Sequence, residues 1–219
     1  MWCIAKITPE YRMRMYAILD LYEKGYNRKY PVVCIDEKSC QLLEEARKPI
    51  PLKQGSTAKH DYEYIRKGTG NIFVAIEAKA GKHFLSVTPR RTKQDFAHFV
   101  KKIIDEVYPK ANKVRIVLDN LNTHFEGSFY ETFSKREAKR ILNRIEFYYT
   151  PKHASWLNMA EIEINILETE CLDRKIESIE KLTEEVRAWE LQKNNEEKKI
   201  YWSFTKQKAD KKLSKHYVS

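Results

Sequence analysis

Apolar residues along the chain recur at two spacings, one helical and one extended. From Thr8 to Lys24, Met15, Ile18, Leu19 and Tyr22 fall at helical intervals, with Thr8 placed to cap, Pro9 and Glu10 suited to the first turn, and Gly25 placed to end the helix. Tyr30 to Asp36, YPVVCID, is a β-branched run that closes on an acid. Cys40 to Ala46 is expected to form at least one helical turn, stopped by Pro49 and Pro51, and residues Ile50 to Gly70 read as loop. Asn71 to Glu77 and His83 to Thr88, joined around Gly81, predict an antiparallel hairpin beside the first strand. Thr92 then opens a helix to Val107 with Phe96, Phe99, Val100, Ile103 and Ile104 on one face. A strand over Val114 to Leu118 follows, then helical pieces from Gly127 to Asn143 that bury Phe129, Phe133, Ala138 and Leu142, and a strand from Ile145 to Tyr149. Trp156 to Leu172 carries Leu157, Ala160, Ile164, Leu167 and Cys171 at helical spacing. From Ile176 a long charged helix is expected, with Ile179, Leu182, Val186 and Trp189 as a core-packing stripe.

Three strands, a helix, a strand, helices, a strand and a helix is the ribonuclease-H-like order. The expected fold class is α/β, a mixed sheet flanked by helices, with a helical C-terminal extension. Three segments follow: residues 1–29 as an N-terminal helix and linker, 30–172 as the core, and 173–219 as a helix and basic tail.

Candidate chemistry sits where strands meet polar residues. In VRIVLDNLNTH an apolar strand ends in Asp119, Asn120, Asn122 and His124, and ligands gather at the carboxyl ends of such strands, although Asp-Asn is equally good turn chemistry. Asp36, followed by Glu37, Lys38 and Ser39, repeats the design. Two carboxylates brought together repel each other unless they are protonated, paired with a base or bridged by a cation. With no His or Cys cluster nearby, hard oxygen ligands favour Mg²⁺ or Mn²⁺ over zinc. Glu161 and Glu163 are candidates for a third acid. Two residues apart, they point about 200° away from each other on a helix, so both cannot enter one site. Asn158 and Glu161 also fit a capping box, and the residues alone give that role the larger share.

Charge adds a partner. Lys and Arg total 41 against 31 acids, a formal charge of +10 and a pI near 9.3, which suits a polyanion and above all nucleic acid. Between Ile50 and Gly70, Lys53, Lys59, His60, Arg66 and Lys67 interleave with Tyr62 and Tyr64, which suits either a nucleic-acid backbone or an ordinary solvated hairpin. From Lys193 to Lys215, eight lysines face three acids, with Tyr201, Trp202 and Phe204 interleaved. That pattern fits a DNA-tracking arm or a solvated tail anchored by its aromatics. Cysteines 3, 34, 40 and 171 lack C-x-x-C spacing and are expected as free thiols. Without a long apolar run or a signal-peptide pattern, a soluble, intracellular chain with no membrane partner is expected.

Taken together, DEKS at Asp36, VLDNLNTH at Asp119 and TPKHASWLNMAEIE at Glu161 resemble bacterial insertion-sequence transposases of the mariner-like superfamily, insertion sequence 630 type. The resemblance implies a ribonuclease-H-like DDE nuclease core in which Asp36, Asp119 and Glu161 form the catalytic, metal-binding triad, and it favours Glu161 over Glu163. It implies two Mg²⁺ (or Mn²⁺) ions, cleavage and strand transfer on double-stranded DNA (transposon ends and target), a homodimer, and a bacterial cytoplasmic location with nucleoid association on DNA. Lys38, Asn120, His124, Lys59, Arg66 and Lys67 are candidate substrate contacts, with a buried hydrogen-bonding role favoured for His124. Two departures stand out. Such proteins usually begin with helix-turn-helix domains, so either that segment is separately encoded or the chain is a remnant. The 41 residues between Asp119 and Glu161 exceed the usual gap, and the extra ones are expected within Phe133 to Asn143. Alternatives are a catalytically silent DNA-binding remnant, which the three intact acids oppose, and a ribonuclease H or repair-type nuclease, which the third motif does not support.

Overall fold

The computed structural model describes residues 6–48, 50–57, 61–121 and 123–218. Helix α1 (Pro9–Glu23) starts where Thr8 accepts the Tyr11 amide, and it buries Met15, Ile18, Leu19 and Tyr22, as the periodicity predicts. The strands are β1 (Val32–Glu45), β2 (Tyr64–Glu77), β3 (Lys82–Thr88), β4 (Val114–Leu118) and β5 (Ile145–Tyr149), in sheet order β3-β2-β1-β4-β5. The first three pair antiparallel, and β1-β4 and β4-β5 pair parallel. This is the mixed ribonuclease-H-like sheet the element order predicts.

Two sequence expectations fail in the same place. Asp36 does not end its strand: β1 runs on to Glu45, so Cys40 to Glu45, expected as a helical turn, is extended. Tyr64 to Gly70, expected as loop, is the opposite arm of the same hairpin. Leu42, Leu43, Glu44 and Glu45 are good helix formers, but here Leu42 is buried against Leu167, Cys171 and Leu182, and pairing with β2 satisfies the backbone. Tertiary packing overrides local propensity.

Side chains alternate across the sheet. One face carries Val33, Ile35, Phe73, Ala75, Ile116 and Leu118, covered by α2 (Lys93–Lys102), α3 (Glu126–Thr132) and α4 (Lys135–Leu142). Helix α2 opens on a reciprocal Thr92–Asp95 capping box and runs into a π-helical turn, Ile103–Val107. The other face carries Cys34, Ile76 and Val117 against α1 and the C-terminal segment, and Ile72 and Val74 against α5 (Ala160–Leu167) and α6 (Ile179–Glu196). The helix expected over Trp156 to Leu172 is three pieces, a 3₁₀ turn at Ser155–Leu157, α5, and a π-helical turn at Glu168–Leu172.

Helix α6 buries Leu182, Val186 and Trp189 and also tends the sheet edge. Asn194 hydrogen-bonds both backbone groups of His83, and Glu190 accepts the Leu85 amide, which occupies polar groups that β3 would otherwise leave open. The tail closes with α7 (Lys206–Leu213), and Trp202 and Phe204 pack into the cluster beneath α1 while Tyr201 stays exposed. Cys34, Cys40 and Cys171 are free thiols. No helix among the described residues is long and apolar enough to cross a membrane.

Candidate active site

The parallel register brings the two strand acids together. Cys34 pairs with Val117, and continuing that offset by two residues sets Asp36 beside Asp119, where β4 has just ended and β1 continues. Asp36 leaves β1 on the face carrying Cys34, the face that α5 covers, and Asp119 follows directly on the end of β4. Helix α5 brings Glu161 to the same place, since Glu161 and Asp119 are the charges that push up the Asp36 carboxyl.

Asp36 is poorly placed to carry a charge. Burial above all, with the negative charges of Glu161 and Asp119, raises its pKa to about 7, although the Glu37 amide donates to Oδ1 at 2.8 Å. Asn158 donates to the other oxygen at 3.2 Å and to the Ile35 carbonyl at 2.8 Å. Asn158 therefore does not form the capping box read from the sequence. Its Oδ1 accepts the Ala160 amide, α5 begins without a side-chain cap on its N-cap residue Met159, and the Glu161 carboxylate carries no hydrogen bond or ion pair among the described residues. The capping explanation for Glu161 lapses.

Asp119 sits differently. Burial pushes its carboxyl up, but the hydrogen bond from His124, the Leu121 amide, and the charges of His124 and Arg91 outweigh burial and hold it below the usual range. His124, 0% exposed, lies between Asp119 at 2.7 Å and Glu37 at 2.9 Å and packs on the Phe96 ring. Burial opposes its charge, yet the two carboxylates prevail and raise it to about 9, so both ring nitrogens donate. His124 is a buried brace that fixes the Asp119 carboxylate. Glu37 was noted in the sequence only as the residue after Asp36. Its side chain faces the α2 side of the sheet, opposite Asp36, by strand alternation, and no sequence signal announces its partner 87 positions away.

The remaining candidates scatter. Lys38, on the Asp36 face two residues on, is ion-paired with Glu168. Asn120 accepts from Arg14 at 2.8 Å and donates to the Thr150 carbonyl at 2.5 Å, tying the Asp119 loop to α1 and to the end of β5. Arg66 lies over the Tyr64 ring and Lys67 pairs with Glu44 at 2.6 Å, both on the outer hairpin arm. Lys59 lies outside the described residues. Glu163 points away from Glu161, as helical geometry requires. It is buried and bonded to His83 at 2.8 Å.

No three His, Cys, Asp or Glu side chains among the described residues form a ready-made metal cage. The oxygen donors nevertheless fit a hard cation, because a buried carboxyl destabilised by two neighbouring carboxylates is what a divalent ion would relieve.

The chain matches the family model of DDE superfamily endonucleases over residues 31–183. No curated protein sequence matches it. Among solved structures it is similar to a Mos1 transposase paired-end complex with left transposon end, with a TM-score of 0.62 at 14% identity over 99% of this chain and 65% of that one. It is also similar to a pre-cleavage Mos1 transpososome, with a TM-score of 0.58 at 15% identity over 100% and 68%. A Mos1 mariner paired end complex with Mn gives 0.56 at 15% identity over 90% and 60%, so the chain spans 60% of that relative's length.

Proposed function

Since the chain belongs to the DDE superfamily endonucleases, we propose that it is the catalytic part of a mariner-like transposase, cutting DNA and joining strands at Asp36, Asp119 and Glu161. The observation that carries this reading is the register of β1 and β4, which seats Asp36 and Asp119 side by side beneath the helix bearing Glu161. In the relatives' solved complexes the transposase holds transposon-end DNA, and some contain Mn or Mg. Residues 30–172 form the catalytic core in this reading, with double-stranded DNA as substrate.

The three carboxylates would hold divalent Mg²⁺ or Mn²⁺, two ions by analogy with other phosphoryl-transfer sites. When bound, such ions supply Lewis acidity, activating water or a 3′ hydroxyl and stabilising the leaving oxygen of a phosphodiester. The chain's own residues do the positioning. His124 holds Asp119 in one orientation, Asn158 and the Glu37 amide hold Asp36, and α5 carries Glu161 unencumbered by capping. Strand β1 and helix α5 carry Asp36 and Glu161, and the His124 brace steadies Asp119 just past β4, which suits the fixed geometry that in-line displacement demands.

The test is cleavage of a labelled duplex bearing the end of the flanking element, with Mg²⁺ or Mn²⁺, by this chain and by its Glu161→Gln and Glu163→Ala variants. A parallel reaction supplies a helix-turn-helix end-binding segment in trans. Glu161→Gln should reduce nicking at least about a thousandfold without lowering the unfolding midpoint, since removing charge from a repelling cluster costs no stability. Glu163→Ala should instead destabilise by about 1–3 kcal/mol, because it leaves buried His83 unpaired. Equal nicking by the wild type and Glu161→Gln would remove Glu161 from the site, and salt-sensitive binding without cleavage in either reaction would favour a silent remnant.

A further inference from the structure

A groove of about 1180 Å³ opens next to the candidate active site, between α1, the turn before α5 and the C-terminal segment. Asn120, the residue after Asp119, forms part of its wall. The floor is aromatic: Tyr11, Trp156, Trp202 and Phe204 line it, with Trp156 edge-on to Phe204 at 5.4 Å and the Trp202 indole donating to the Phe204 carbonyl. The rim is basic, with exposed Lys152, His153 and Lys212. His153 reaches the rim with φ at +60°, a left-handed conformation that a residue with a side chain adopts only at a cost, in the turn closed by the Ala154 amide on the Pro151 carbonyl. Glu10, the acidic residue among those lining the groove, is paired with Arg14.

Half-buried aromatic side chains beside exposed cations suit one occupant above others. Base pairs inside a duplex already stack on one another and present phosphates outward, so away from its ends a duplex has no free face to offer an aromatic lining. An unpaired strand has both parts, flat bases to stack and phosphates for Lys152 and Lys212. We propose that this groove takes an unpaired stretch of DNA as it leaves the cleavage site. The inference rests on the transposase reading for its substrate, and on the groove's own lining for the single-stranded form.

The binding test uses the full chain in EDTA, where no cleavage occurs, and follows the anisotropy of a labelled duplex that is blunt or carries a short single-stranded overhang. The overhang should tighten binding about tenfold, the lower range of what a stacked base contributes. It should also quench tryptophan fluorescence. The surface double variant Lys152→Glu/Lys212→Glu should abolish the overhang preference, while Trp156→Phe should keep most of the preference and lose part of the quench. Equal affinity for blunt and overhang duplexes overturns the proposal, as does a preference that survives the double variant. Loss of a self-associated form in the double variant, seen by sedimentation without any change in DNA preference, would assign the groove to a second copy of the chain and overturn it too. Cleavage in Mg²⁺ is scored separately. Nicking without overhang preference sinks the groove alone, whereas overhang preference without nicking keeps the single-stranded occupant but removes the transposase reading and, with it, the groove's place on the path from a cleavage site.

Discussion

At the scale of single residues, the site pulls its titratable groups in opposite directions, with Asp119 lowered and Asp36 and His124 raised. The carboxyl of Asp36 ordinarily titrates near 3.8 but is raised to about 7, so in metal-free protein the folded state favours its protonated form. Its contribution to stability is full below pH 3.8 and is lost as pH rises through about 7. The whole interval is worth at most about 4 kcal/mol. His124 behaves with the same sign in a different window: its pKa is raised to about 9, so its stabilising charge is present below about 6.5 and is lost as pH rises through 9. Urea unfolding in EDTA should therefore show stability falling across pH 4 to 7 and again near 9. Asp36→Asn should flatten the first decline and keep the second. Saturating Mg²⁺ should flatten the first as well, because a cation would neutralise the cluster in place of the proton. If wild type and Asp36→Asn share one pH profile, burial and the neighbouring carboxylates do not raise Asp36 as its placement implies.

At the scale of elements, most of the fold was legible because most of its helices and strands bury one face in step with their own period. Helix α1 and helix α2 with its Thr92 start follow that rule, while β4, buried on both faces, shows instead as a short apolar run. The outer arms of the β1–β2 hairpin do not. They carry helix formers and charged residues, and they are strands because of partners that are distant in sequence: the Leu43 amide bonds the Ile176 carbonyl, and Lys175 ties Glu45 to the Asp61 and Glu63 carbonyls. The site divides along the same line. The strand-end acids were visible from pattern, whereas the brace Glu37–His124–Asp119 and the turn of Asn158 toward Asp36 need the sheet to exist first. One close approach sets how the tail joins this frame. Gly81 has φ at +67°, and a Cβ there would lie 2.7 Å from the Glu197 backbone carbonyl, beside the hydrogen bond from the Ile200 amide to the Ala78 carbonyl. Gly81→Ala should cost more than about 1 kcal/mol from backbone conformation alone, and the clash adds to it. Circular dichroism melting should show the loss, and protease sensitivity should rise between α6 and α7. An unchanged melt would mean that the tail can shift away at no cost.

At the scale of the whole molecule, the +10 charge is distributed so that part of it is already spent on structure. Lys38, Lys67, Lys101, Lys175 and Arg140 are held by carboxylates of the chain itself, and Lys206 of the tail pairs with Asp20 on α1. Lys211 and Lys215 are exposed on the C-terminal segment, whose aromatics Trp202 and Phe204 anchor it to the core. The two readings of the tail given by the sequence are therefore compatible, since an anchored segment can still present cations to DNA. Counterion release separates them. Each phosphate neutralised by a lysine contributes about 0.9 to the slope of log affinity against log salt on duplex DNA. Lys211→Gln and Lys215→Gln should each lower that slope by about 1 for a blunt duplex, with little dependence on its sequence. Lys175→Gln should leave the slope alone and lower stability instead, because its ammonium already serves Glu45 and two backbone carbonyls. Titrations over a range of KCl concentrations measure all three. A slope unmoved by the tail variants would mean that Lys211 and Lys215 meet no phosphate, and would leave DNA binding to the groove, with its Lys152 and Lys212, and to the acidic site that it flanks.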